Sequence, residues 1–155
     1  MDAHSLIALF GQETGVPLAL GESGTLGLAF DAGLTVQLEH DPGADALHCY
    51  VVLGRLPADA TQGGALLRQL LQANAFCRDT DGATFGLDEA TGDIILSRRL
   101  ELARADTAWL QATLESMVAV AQAWQPRLAA AATTPAPAAD AGAVLFAMPD
   151  PGMRA

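Results

Sequence analysis

Apolar residues recur at helical spacing at the start of the chain. Leu6, Leu9 and Phe10 share one face, with Ile7 beside them, which predicts a helix from Ala3 to about Glu13. Asp2 stands where an N-cap belongs, and Gly11, Gly15 and Pro17 weaken and then end the helix. The period then falls to two. Val16, Leu18 and Leu20 alternate around Pro17 and Ala19; Pro17 has no N–H to donate, so the stretch predicts an edge strand or a lone extended segment. Leu26, Leu28 and Phe30 alternate next and lead into a tight turn at Asp31-Ala32-Gly33. Leu34, Val36, Leu38 and His40 alternate against Thr35, Gln37 and Glu39, the pattern of a strand with one buried face. After the Asp41-Pro42-Gly43 turn, Leu47 to Arg55 predicts a third strand. It is apolar on both sides around Tyr50-Val51-Val52, so it is expected to be central or covered on both faces.

Pro57 breaks that strand, and a helix is predicted from Ala65 to Phe76. Leu66 and Leu70 lie on one stripe; Leu67, Leu71 and Asn74 lie on the neighbouring one. This apolar arc is wider than a single sheet contact requires. A hairpin follows, Thr84–Leu87 and Ile94–Ser97, with Gly92 at a turn position that needs positive φ. The last helix is expected to run from an Asp106 cap to Gln125, where Pro126 would end it. Leu110, Leu114, Met117, Val118 and Ala121 form its buried stripe, flanked by Trp109 and Trp124. Beyond Leu128 the composition collapses to Ala, Thr and Pro, with one short apolar patch at Ala143–Met148. The chain therefore divides into a domain, 1–128, and an Ala/Pro-rich flexible tail, 129–155. Helix, three strands, helix, two strands, helix, with tight turns between strands, is an α+β sandwich of mainly antiparallel sheet packed on helices.

Composition narrows the partners. Of 155 residues, 51% are hydrophobic, enough for a folded body. Acidic residues outnumber basic ones 18 to 8, a net charge of −10, and every basic residue is Arg. Such a surface is repelled by nucleic acid and by anionic membranes, and it favours solubility. Cys49 and Cys77 sit on different elements without metal spacing, which predicts two buried, reduced cysteines. Met1-Asp2-Ala3-His4 lacks the basic start of a signal peptide, and no apolar run approaches the ~20 residues of a membrane helix. A cytoplasmic protein is expected.

No motif carries chemistry. Gly21-Glu22-Ser23-Gly24-Thr25 has Thr where a nucleophile elbow needs Gly. The Gly21, Gly24, Gly27 run has no Lys to meet a phosphate. Asp88, Glu89 and Asp93 do not follow a calcium-loop pattern, and His4, His40 and His48 are scattered. The expectation is a non-enzyme without cofactor or metal.

The segments Leu66-Leu67-Arg68-Gln69-Leu70-Leu71-Gln72-Ala73-Asn74-Ala75-Phe76, Gly82–Asp88 and Gly92–Leu96 resemble the Tir-chaperone (CesT-like) family. Leu114–Val118 and Trp124 in the closing helix fit as well, and the resemblance spans about residues 1 to 126. It implies an αβββαββα sandwich that forms a homodimer, has no catalytic activity and binds the unfolded N-terminal segment of a type III secretion effector. The secretion-system ATPase is a further partner of that setting. An extended segment is held by adding a strand to a sheet edge and by filling apolar pockets. The effector-binding candidates are Leu6, Leu9, Phe10, Val16, Leu18, Leu20, Leu28, Phe30 and Val36, with burial in the core as the competing reading for each. The dimer candidates are Leu66, Leu67, Leu70, Leu71 and Asn74; a stable interface buries roughly 1,600 Å². A regulatory adaptor of the same fold, binding a folded protein or a transcriptional regulator, is the alternative. The tail is longer than the family's usual end, so Ala143–Met148 is inert, covers the groove or contacts another partner.

Overall fold

The Asp2 carboxylate accepts from the Ser5 amide at 3.0 Å and starts helix α1 (Ala3–Thr14) in the computed structural model, which describes residues 1–131 and the backbone of 144–145. Gly15 closes the helix in the left-handed conformation, φ 72°. Gly11 lets the chain fold back tightly: a Cβ there would stand 2.6 Å from the Val16 carbonyl oxygen. Val16–Leu20 consequently runs as a lone extended segment and joins no sheet. Its Val16 amide bonds the Gly11 carbonyl, and Leu18 and Leu20 turn into the core.

Strands β1 (Thr25–Phe30), β2 (Leu34–Asp41) and β3 (Ala46–Arg55) follow as an antiparallel meander. Helix α2 (Ala60–Asn74) and strands β4 (Thr84–Leu87) and β5 (Asp93–Glu101) come next, then helix α3 (Thr107–Ala131). A two-residue strand β6 (Val144–Leu145) completes a sheet of order β4-β5-β3-β2-β1-β6. The alternation works as read: Leu28 opposite Val36, Leu38 opposite Cys49 and Val51 opposite Leu96 all face inward and are buried. They meet Leu6 and Phe10 of α1 and Leu110, Leu114 and Met117 of α3. The opposite face carries the row Gln37, Tyr50, Ser97 and Thr84. Thus β3 is central, as expected, but among the described residues only one of its faces is covered, and Val52 on the other is 44% exposed.

Three helix boundaries differ from the sequence reading, and β5 runs to Glu101, past the expected Ser97. Asp59 accepts from the Gln62 amide at 2.8 Å and starts α2 at Ala60, ahead of the expected Ala65. The glycines that obscured this start have a use: a Cβ on Gly63 would lie 2.9 Å from the Pro57 carbonyl. The same helix stops at Asn74 because Phe76 and Cys77 take positive φ, 58° and 52°. Pro126 does not end α3, which continues to Ala131. Proline removes one helical hydrogen bond, while the buried Trp124 and Leu128 on either side anchor the helix to the core. Gly92 has the anticipated positive φ, 74°.

The cysteines separate. Cys49 is buried and Cys77 is exposed, because the latter lies in the loop where α2 has already ended. Burial pushes the Cys49 thiol up to about 12 from 9.0, and the charge of Arg98 opposes only part of that shift. A thiol that keeps its proton when folded stabilises the fold fully below its unfolded pKa. That contribution is lost as pH rises from about 9 toward 12. With a disulfide reagent at pH 8, Cys77 is expected to react at once and Cys49 only as the chain unfolds; two equally fast thiols would contradict the burial.

Candidate functional site

Three surface regions can be built from the residues upward. The first lies where α1, the Val16–Leu20 segment and β1 converge. Leu6, Phe10, Leu18, Leu20, Leu28, Phe30 and Val36 are each at most 9% exposed, so within one chain they are core. Leu9 is 40% exposed, and Val16 is partly buried at the core's rim. Between α1 and the returning segment lies an open cleft of about 500 Å³, floored by Gly11 and Leu18 and walled by Gln12, Val16 and Pro17. What this region offers an outside ligand is therefore the open cleft between α1 and Val16–Ala19, while the broad apolar face is already filled.

The second region surrounds the C-terminal end of α2. Leu66 and Leu70 face the core, Leu67 is partly buried, and Leu71 is 69% exposed. Asn74 is fully engaged within its own chain: its amide donates to the Phe85 carbonyl at 3.0 Å and its oxygen accepts from the Phe85 amide at 2.8 Å. This pair of bonds clamps α2 onto β4. Around the clamp the chain leaves apolar side chains in water: Leu71 three residues before Asn74, Phe76 two after it, and Leu87 two after Phe85. Phe76 is 91% exposed, and its backbone sits in a region that costs a bulky residue about 1–3 kcal/mol. The Arg78 guanidinium lies 5.9 Å from the ring centroid. Phe76, Leu87 and Val52 were not anticipated as surface residues.

The third region is a cleft of about 330 Å³ between the Asp79–Asp81 turn and α3. Ser116 donates to the Asp81 carboxylate at 2.6 Å, and the Arg98 guanidinium donates to the Asp81 carbonyl at 3.0 Å. These bonds tie the turn to α3 and β5, and a role in holding the fold accounts for them. Among the described residues no group of His, Cys, Asp and Glu is arranged to hold a metal ion, and no helix is long and apolar enough to cross a membrane.

This arrangement, one mainly antiparallel sheet with helices on one face and exposed apolar side chains at the end of α2, is shared with known proteins. The family model of the Tir chaperone protein (CesT) family matches residues 5–125. The chain belongs to that family. Among solved structures it is similar to a chain of the ExsC–ExsE complex, at 27% identity and a TM-score of 0.65, covering 81% of this chain and 96% of that one. The Yersinia pestis type III secretion chaperone SycH, solved with a stable fragment of YscM2, has 21% identity and a TM-score of 0.61 over 77% of this chain and 97% of that one. A chain of the heterodimeric ExoU–SpcU complex from the type III secretion system of Pseudomonas aeruginosa has 20% identity and a TM-score of 0.59, over 84% and 98%. Among curated protein sequences, none matches this chain. The CesT match ends at residue 125, short of β6.

Proposed function

We infer that this CesT-family chain is a cytoplasmic, non-enzymatic homodimeric chaperone that holds the N-terminal segment of a type III secretion effector unfolded until export. The family match over residues 5–125 carries the reading. The geometry supports it physically. An extended segment would gain backbone hydrogen bonds along β1 once β6 is displaced, and would place apolar side chains in the cleft lined by Gly11, Val16 and Leu18. The segment loses its conformational entropy on binding, so affinity must come from a long wrapped contact rather than one deep pocket. The patch of Leu71, Phe76 and Leu87 supplies the second-copy interface, and hand-over to the secretion-system ATPase would follow at the loaded dimer.

The test is coexpression with the N-terminal portion of a candidate exported protein, followed by light scattering and limited proteolysis. The expected product is a dimer carrying one protease-protected stretch of the partner, which stays unfolded outside it. A monomer that captures no unfolded segment would remove the reading.

A further inference from the structure

One edge of the sheet is covered from within the chain. Val144 and Leu145 pair in parallel with Leu28 and Ala29, so β6 lies along the side of β1 that would otherwise end the sheet. That side is unusually open to strand addition by its sequence. Thr25-Leu26-Gly27-Leu28-Ala29-Phe30 contains no charge and no proline, and its register with β2 runs without a bulge. Charge, proline and bulges are the usual protections of an exposed edge. The tail stretch Ala143–Met148 is equally uncharged and suits such an edge.

We propose that Val144–Leu145 are a built-in occupant of the β1 edge, which an incoming extended segment must displace before it can add to the sheet. This rests on the reading above that the incoming segment is the client's. A two-residue pairing is weak enough to open locally, because short peripheral elements unfold at little cost. Because β6 and α3 belong to one chain, the pairing re-forms without a second molecule. The tail thus keeps an aggregation-prone edge covered when no client is present and yields to a longer strand that makes more bonds. Occupancy of about nine-tenths would weaken the client's apparent affinity about tenfold.

The test uses the full chain carrying Val144→Pro and Leu145→Pro together. The substitutions remove both strand amides and leave the described core untouched. Without any partner, amide exchange in β1 is expected to quicken about tenfold, with β3 and β5 unchanged. A labelled synthetic peptide of residues 140–151 is expected to bind this variant about tenfold more tightly than the unaltered chain. Unchanged exchange in β1, or equal peptide affinity for the two chains, would overturn the proposal. So would a captured client whose affinity is the same for both. If exchange and peptide binding behave as expected but no exported segment is captured by either chain, the chaperone reading falls and the tail's seat on β1 remains. If a client is captured while β1 exchange does not change, only the tail's role falls.

Discussion

Trp124→Ala is expected to cost about 3–5 kcal/mol of folding stability, the range for removing a buried tryptophan from a well-packed site. Trp124 is 3% exposed and packs its ring on Phe85 of β4 at 4.7 Å between centroids, tilted by 58°. The Arg127 guanidinium lies 4.7 Å from the same ring. The position matters beyond its volume. Phe85 is the residue whose backbone Asn74 clamps, so Trp124 is the link between α3, β4 and the end of α2. Domains of this size hold about 5–15 kcal/mol in all, so the variant should show its urea midpoint far below that of the parent, read by far-ultraviolet circular dichroism. Arg127→Ala removes a contact at the surface and should cost no more than about 1 kcal/mol. A Trp124→Ala loss below about 1 kcal/mol would mean that α3 does not depend on this contact, and that its passage through Pro126 has another cause.

The strands were legible because one face of each is wet. Leu34, Val36 and Leu38 against Thr35, Gln37 and Glu39 admit only one orientation, and the burial follows it. Gly92 was legible because a left-handed turn residue leaves a compositional mark. Periodicity names a face but does not say what covers it. Leu6 and Phe10 can be read from sequence as groove or as core, and α3 with the inner sheet face encloses them, leaving Leu9 outside. Local rules also yielded to packing. Pro126 should stop a helix, but the buried Trp124 and Leu128 outweigh the single missing bond. Asn74 looked like one more residue of an outward stripe, and its hydrogen bonds to Phe85 depend on a β4 that lies eleven residues away. At Val144–Leu145 two residues are too few to show any period, so only three-dimensional pairing reveals a strand there.

In the proposed dimer, Leu71→Asp and Phe76→Asp, made together, are expected to yield a monomer that stays folded. Both side chains stand mainly in water within one chain, at 69% and 91% exposed, so placing a carboxylate there costs the isolated fold little. The parent has a reason to cover them. Leu87, two residues past the clamped Phe85, is a third exposed apolar side chain, and the left-handed Phe76 backbone is strain that burial against a second copy would offset. Central apolar anchors of an interface cost about 2 kcal/mol or more each when lost, and two carboxylates facing their symmetry mates add repulsion. The dimer dissociation constant should therefore rise by at least about 100-fold. Sedimentation or light scattering across a dilution series reads this directly, with circular dichroism confirming that the monomer remains folded. Leu66→Asp is the contrasting substitution: Leu66 is 3% exposed, so it should unfold the chain rather than separate two folded copies. A double variant that stays dimeric at the parent's concentration would move the interface away from the end of α2, and the outer sheet face around Val52 and Tyr50 would be the surface to alter next.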